Sequence, residues 1–449
     1  MEMEKEKILE LLNTHPIRVA ELHDIFAEMN VVNIADIFKD ESKETILRIF
    51  RLLPKSIASE VFSYIEGDEQ QLLIEALSDN EVRDIMNRLF VDDAVDLIEE
   101  MPADVVTRVL QNIPSEKRTI INQMLKYPED SAGSIMTTEY VWLSEESTVR
   151  TAFAKIRKNG VNKETIYTCY VIDRDRLLLG VVSAKTLMLS NEDDKISDIM
   201  DTDFVSAHTT DDQELVAGSF RKYGLLAMPV VDADEHLVGI ITVDDVVQII
   251  EEEHTEDLEI MSALKPSEEP YLKTGVLQQV RNRIVWLLFL MLSATITGGI
   301  ISGFENALAA LPLLIAFIPM LMDTGGNAGS QSSTLIIRGM ALGEVNFKDI
   351  AVVLWREIRI GFLCGIILGI INFIRIYITN GKNSLLALTV TVSVLLTLIM
   401  AKSLGCLLPM AAKKLRVDPA IMAAPLITTI VDAASLVVYF SIAKVIFKL

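Results

Sequence analysis

The chain changes character near residue 270. Before it, apolar residues recur at helical spacing between frequent charges. From Ile284 onward they run in stretches of roughly twenty residues or more, long enough to cross a bilayer. Five spans are expected, at about 284–304, 309–337, 351–378, 385–411 and 420–447. Over the first 130 residues the helical period is cut by short turns, and a proline-led start recurs in Leu53-Pro54-Lys55, Met101-Pro102-Ala103 and Ile113-Pro114-Ser115. Proline is favoured in the first turn of a helix, so these predict short stacked helices in a superhelical array.

From 131 to 253 the pattern is duplicated, each copy reading helix, strand, turn, strand, helix. Ser134-Ile135-Met136-Thr137 matches Asp198-Ile199-Met200-Asp201. Tyr170-Val171-Ile172-Asp173 and Leu179-Gly180-Val181-Val182-Ser183 match Pro229-Val230-Val231-Asp232 and Val238-Gly239-Ile240-Ile241-Thr242. Two such copies in order resemble a tandem pair of CBS domains. The resemblance implies an α/β ligand-sensing module whose relatives often hold an adenosine nucleotide between the halves. The signature Gly-x-x-Ser/Thr-x-x-Asp, whose aspartate holds a ribose in that family, falls on Gly239, Thr242 and Asp245. In the first copy Gly180 and Ser183 are followed by Thr186. At most one site, at Thr242 and Asp245, is therefore expected for ATP or another adenosine nucleotide.

The acidic run from Glu251 to Ile260 reads as a connecting helix ending near Pro266. The expected fold is thus multidomain: an acidic all-α superhelical domain over 1–130, an α/β CBS pair over 131–250, a connecting helix over 251–275 and a five-helix transmembrane domain over 276–449.

Composition agrees with that division. With 449 residues, 50% hydrophobic and 23% charged, the chain is too long for one domain and too apolar for an ordinary soluble protein. From Tyr271 onward fifteen Lys and Arg stand against seven Asp and Glu, whereas the first 270 residues hold 56 acids and 26 bases. Such a surface repels a phosphate backbone, so no nucleic-acid partner is expected. It also repels itself unless cations gather on it. Acids are densest at Asp92, Asp93, Asp96, Glu99 and Glu100, with 92, 96 and 99 or 100 on one helical face. Three scattered cysteines suggest neither a disulfide framework nor a zinc site. The opening Met1-Glu2-Met3-Glu4-Lys5 lacks the apolar core of a signal peptide, and Arg281, Arg283, Arg338, Lys348, Lys413, Lys414 and Arg416 flank the spans on one side. A multi-pass protein of the plasma membrane with a cytosolic amino terminus is expected, its immediate partner the lipid bilayer.

Two segments carry candidate chemistry. The second span holds Pro319-Met320-Leu321-Met322-Asp323-Thr324-Gly325-Gly326-Asn327-Ala328-Gly329-Ser330-Gln331, polar and glycine-rich inside an apolar helix. Irregular backbone at membrane depth is stable where it is buried in protein or lines water, although glycines also serve helix contact. With Asp323, Asn327 and Gln331 on one face, a pore lining is expected. The fifth span holds Ala424-Pro425-Leu426-Ile427-Thr428-Thr429-Ile430-Val431-Asp432, and a carboxylate at that depth should face water or a cation.

Together these segments resemble the MgtE family of Mg²⁺ channels, whose signature Pro-x-x-x-x-x-x-Gly-Asn-x-Gly-x-Gln fits Pro319, Gly326, Asn327, Gly329 and Gln331. The whole chain follows that family's domain order. The resemblance implies a homodimer with the pore between subunits and the fifth-span aspartate, here Asp432, recognising hydrated Mg²⁺. Ser330 and Ala424 stand where some members carry an amide. Gly325, Gly326, Thr428, Asp323, Asn327 and Gln331 complete the expected pathway.

Mg²⁺ gives up its waters reluctantly, so a pathway with few carboxylates and several amides or carbonyls suits the hydrated ion. Inside-negative potential supplies roughly 4.6 kcal/mol per 100 mV to a dication, and no Walker A sequence is present. Uptake is expected to be shut off by Mg²⁺ itself, bound among Asp92, Asp93 and Asp96, Asp244 and Asp245, and Glu252, Glu256 and Asp257, and beside Asp418, so that the connecting helices draw together and plug the pore. An ion-coupled exchanger or exporter would also suit a polar, glycine-rich span. A membrane enzyme is not expected, because no HExxH occurs and all five histidines lie outside the spans. A receptor without transport would leave Asp432 without a physical reason.

Overall fold

The computed structural model describes residues 2–14, 18–39, 41–55, 57–267, 271–305, 309 and 311–448. It divides into two compact units, residues 1–250 and 251–449. Residues 268–270 of the expected connecting segment, and 306–308 of the expected loop at Glu305–Ala309, lie outside the described residues.

The first unit opens with ten described helices, from Glu2–Leu12 to Ser115–Met124. Each turns its apolar stripe inward. Phe38, Phe50 and Phe62 come from three successive helices and meet edge to face, with ring centroids 6.5 and 6.2 Å apart. A twelve-residue interval thus places one aromatic per helix in a continuous ladder, the packing expected of a superhelical array. Pro102 and Pro114 occupy the N-cap positions of Ala103–Asn112 and Ser115–Met124. They stand one residue ahead of the expected first turn, where a missing N–H costs nothing.

Two three-stranded sheets follow: β1 (Trp142–Ser144), β2 (Thr168–Ile172) and β3 (Leu178–Ser183), then β4 (Ala207–His208), β5 (Ala227–Val231) and β6 (Leu237–Thr242). In each, the first two strands run parallel and the last two antiparallel. The periodicity predicts only the last two of each set. β1 and β4 are three and two residues long, too short to leave an alternation signal.

The duplicated motifs interlock. Thr137 N–H donates to Ile240 O at 2.8 Å and Ile240 N–H returns to Thr137 O at 2.9 Å, while Asp201 and Val181 exchange the equivalent bonds at 2.8 and 2.9 Å. The Ile-Met segment of each copy therefore pairs with the last strand of the other. A side chain at Gly239 would lie 2.6 Å from Met136 Sδ, and one at Gly180 would lie 2.8 Å from Asp201 O. The repeated methionine and the repeated glycine are two halves of one contact.

The helix after β6 runs without a break from Val243 to Met261, through the expected boundary at 250. Among the described residues of the second unit five long helices follow: Val276–Gly303, Ile318–Ala341, Ile350–Thr379, Ser384–Lys414 and Ala424–Phe447. We refer to them as the first to fifth long helices. The first, third, fourth and fifth are long and apolar enough to cross a membrane. The second has the length, with 24 residues, but its Asp, Asn, Gln, Ser and Gly residues lower its hydropathy. It starts later than expected because Pro312–Phe317 forms a tight 3₁₀ turn ahead of it, with Pro319 then in its first turn. Gly361, Gly365 and Gly369 let the third and fourth helices touch backbone to backbone; a side chain at Gly361 would lie 2.9 Å from Ile399 Cα.

Candidate functional site

Acidic side chains gather in the first unit from three separate elements. The helix Val91–Glu100 sets Val91, Ala94, Val95, Leu97 and Ile98 into the core, which leaves Asp92, Asp93 and Asp96 to the other side. The helix after β6 carries Asp244 and Asp245 in its first turn, where its dipole favours negative charge. Glu164 enters from the loop ahead of β2, its N–H bonded to Glu139 O at 2.9 Å.

These carboxyls face one another, and their proton affinities record it. Burial first, then the charges of Asp93, Asp245 and Glu164, hold Asp92 well above the usual carboxylate range. Asp93 is pushed up to about 6 by burial and by Asp245. Asp96, which still reaches solvent, rises to about 7 through burial and its neighbours Asp93 and Glu99. Glu164 rises to about 8 through burial and then Asp245, Asp244, Asp93 and Glu139. Asp245 is raised by burial, although its Oδ2 accepts Thr242 Oγ1 at 2.6 Å.

Asp92 Oδ1 and Glu164 Oε2 are buried without a hydrogen-bond partner among the described residues. Lys117 reaches the cluster, but its ammonium donates to Met86 O at 2.9 Å and to Leu89 O, and burial lowers its affinity for a proton. The cluster is thus a concentrated negative field that attracts cations. Among the described residues, no group of three or more His, Cys, Asp or Glu side chains could hold a metal ion.

In the second unit the two membrane segments meet. Asp323, Asn327 and Gln331 form one exposed row on the second long helix, and Asn327 Nδ2 donates to Asp323 Oδ1 at 3.1 Å. A side chain at Gly326 would lie 3.0 Å from Thr428 Cγ2 and 3.6 Å from Asp432 Oδ1, so the second and fifth helices touch at these residues. Asp432 is half-buried and within electrostatic reach of Asp323. Thr428 and Thr429 donate to Pro425 O at 2.9 and 3.0 Å.

Gly325 stands on the other side. A side chain there would lie 2.8 Å from both Ser435 Oγ and Thr397 Cγ2, and one at Gly329 would lie 2.8 Å from Ile427 Cγ2. The second helix is unbroken from Ile318 to Ala341, which corrects the expectation of irregular backbone. Its glycines serve close approach by the fourth and fifth helices instead, the contact role that small residues have in membranes.

Asp257, on the Val243–Met261 helix, is raised by burial and by Asp418, with His254 and Arg338 opposing. Asp418 caps the turn Pro419–Met422, its Oδ1 accepting Ala420 N–H at 2.8 Å. Glu252 and Glu256 lie exposed on the same helix as Asp257. The expected regulatory residues therefore form two groups, one in each unit. Glu164, Glu139 and Lys117 were not anticipated. Glu164 and Glu139 sit in loops and Lys117 on the helix Ser115–Met124, with no pattern in the chain to mark them.

A bundle of apolar helices with one polar row and an opposed carboxylate, in a chain that also carries a CBS pair and an acidic helical array, has the make-up of a membrane transport protein. Residues 318–442 match the family described as divalent cation transporter (MgtE), 29–130 the MgtE intracellular N domain, and 132–190 and 196–252 the CBS domain. The chain is 38% identical over 327 residues to a magnesium transporter MgtE of Bacillus subtilis, covering 72% of this chain and 71% of that one. It is 36% identical over 331 residues to a magnesium transporter MgtE of Thermus thermophilus, covering 74% and 73%. The chain belongs to the MgtE family of divalent cation transporters.

Two solved structures resemble it at 30% identity over 56% of this chain. The soluble part of a magnesium transporter has a TM-score of 0.53 and is covered to 98%. The cytosolic domain of the Mg²⁺ channel MgtE in complex with ATP has a TM-score of 0.51 and is covered to 100%.

Proposed function

We propose that the protein is a channel for Mg²⁺ uptake down the electrochemical gradient, closed from the cytosol by Mg²⁺ bound to its acidic regions. The observation that carries this reading is the meeting of the exposed Asp323–Asn327–Gln331 row with Thr428 and Asp432 across Gly326. Few carboxylates and several amide and hydroxyl oxygens suit a hydrated dication better than a bare one. The row is exposed on one chain. A second copy facing it would close a polar pathway against lipid, so the working unit is a homodimer in the plasma membrane with its amino terminus in the cytosol.

Regulation rests on the two acidic groups. Ions at Asp92, Asp93, Asp96, Asp244, Asp245 and Glu164 relieve repulsion in the first unit, and ions at Asp257 and Asp418, helped by Glu252 and Glu256, do so at the mouth of the fifth helix. About 1–2 kcal/mol of preference per ion, over several ions, closes the pore. The working parts are 1–130, 131–250, 251–275 as the plug and 276–449. The ATP carried by the related cytosolic domain supports a nucleotide at Thr242 and Asp245, here tuning the sensor.

The test is Mg²⁺ uptake into liposomes driven by an inside-negative potential. Flux that survives Asp432→Asn unchanged would remove the reading.

A further inference from the structure

Three polar side chains meet inside the helix bundle, away from the proposed pathway. Ser332 on the second long helix, Glu357 on the third and Lys402 on the fourth are 1%, 7% and 7% exposed. Ser332 Oγ donates to Glu357 Oε2 at 2.6 Å and accepts from Lys402 Nζ at 3.3 Å. One hydroxyl thus joins an acid and a base, each strongly disfavoured if left alone at this depth.

The place of this relay gives it meaning. Ser332 follows Gln331 directly, and the neighbouring Ser333 Oγ donates to Met422 O at 2.5 Å, in the turn that leads into the fifth helix. One turn of the polar helix is therefore tied to the third helix, to the fourth and to the segment behind Thr428 and Asp432. Close packing leaves that turn no slack, because a side chain at Gly405 would collide with the carbonyl of Gly329.

We propose that Glu357 is a positioning residue and counter-charge for cation passage: it neutralises Lys402 through Ser332 and so keeps an uncompensated ammonium from standing in the bundle behind the polar helix, at the residue next in sequence to Gln331. The effect scales with the charge of the passing ion, and a dication feels an uncovered ammonium twice as strongly as a monovalent ion does. This inference rests on the reading that cations pass along the second and fifth helices.

The experiment uses the full-length protein in liposomes, with Mg²⁺ uptake measured against external Mg²⁺ for the parent, Glu357→Gln, Lys402→Met and the double variant. Glu357→Gln should raise the apparent KM and cut the maximal rate by about tenfold, because it leaves a buried cation unpaired. Lys402→Met should lower the apparent KM, since an unpaired carboxylate then attracts the ion. The double variant should return to within about threefold of the parent, because neutral partners restore the charge balance. A purely structural role would impair both single variants without opposite shifts in KM. If Glu357→Gln does not fold, Lys402→Met and the double variant still decide the matter. A KM for Lys402→Met that rises or stays put overturns the inference, as does a double variant no better than the worse single one. A parent that passes no Mg²⁺ in the same liposomes instead overturns the reading of the pathway.

Discussion

Replacing Glu164 by Gln removes one perturbed carboxyl from the acidic cluster while keeping its shape. Burial and the charges of Asp245, Asp244, Asp93 and Glu139 raise this group from the ordinary 4.5 to about 8. A raised carboxyl contributes stability that is complete below the unfolded value and is lost as pH climbs through the folded one, here between about 4.5 and about 8. At pH 7 the folded chain bears most of that loss, at about 1.36 kcal/mol per pH unit above the unfolded value, for a ceiling of about 3 kcal/mol. Glu164 is half-buried, so water screens the group, and about 1.5 kcal/mol is a fair expectation. For a unit of this size each kcal/mol moves the midpoint by about 2–4 °C, so Glu164→Gln should unfold about 3–6 °C higher than the parent in EDTA at pH 7.

Mg²⁺ should reverse the ranking. An ion held only by the folded form stabilises it in proportion to ln(1 + [Mg²⁺]/Kd), and a cluster short of one carboxylate holds it less tightly. The assay is thermal unfolding of the full-length protein in detergent, in EDTA and in about ten millimolar Mg²⁺, at pH 5 and pH 8. In EDTA the parent midpoint should fall from pH 5 to pH 8 by more than that of the variant, and the gain from Mg²⁺ should be larger in the parent. A variant that melts at or below the parent in EDTA, with an unchanged gain from Mg²⁺, would refute the picture of carboxylates held together against their charge.

Three further perturbations follow from the packing. Gly329→Val places its side chain against Ile427 and near the Ala401 carbonyl; overpacking of this kind costs about 1–3 kcal/mol and should cut the yield of folded protein in the membrane. Gly326→Ala meets Thr428 Cγ2 at 3.0 Å, Thr428 Cβ at 3.4 Å and Asp432 Oδ1 at 3.6 Å, contacts that a shift of a few tenths of an ångström relieves, so the protein should fold normally while Mg²⁺ uptake drops several-fold, as chromatography and flux on one preparation would show. Ser78→Ala removes a capping box in which Ser78 N–H donates to Glu81 Oε2 at 2.7 Å; the loss is about 1 kcal/mol, read as a lower unfolding midpoint with flux unchanged.

Much of this was legible in the chain because period and charge report on local environment. The apolar stretches, the doubled Ile-Met and Gly motifs and the Asp323–Asn327–Gln331 spacing each pointed to a feature that the fold contains. What escaped depends on contacts between distant segments. Glu164 belongs to the acidic cluster only because a loop ahead of β2 comes to lie beside Asp93 and Asp245, and no periodicity carries that fact. The glycine-rich motif reads as irregular backbone lining a pore in preference to close packing, although a small residue permits both. Only the neighbours Thr397, Ser435 and Ile427 decide for packing at Gly325 and Gly329. Glu357 and Lys402 were visible as charges inside apolar stretches, but the hydroxyl that joins them lies 25 residues from one and 70 from the other.

The central claim is a Mg²⁺ pathway that cytosolic Mg²⁺ closes. Single-channel recording of the purified protein in a planar bilayer tests it most directly, with Mg²⁺ the only permeant cation outside and its cytosolic level stepped from micromolar to about ten millimolar. The account predicts openings that disappear as cytosolic Mg²⁺ rises and that are absent from Asp432→Asn. Mg²⁺ uptake without resolvable openings would contradict the channel and favour a coupled exchanger, and openings indifferent to cytosolic Mg²⁺ would contradict the sensor.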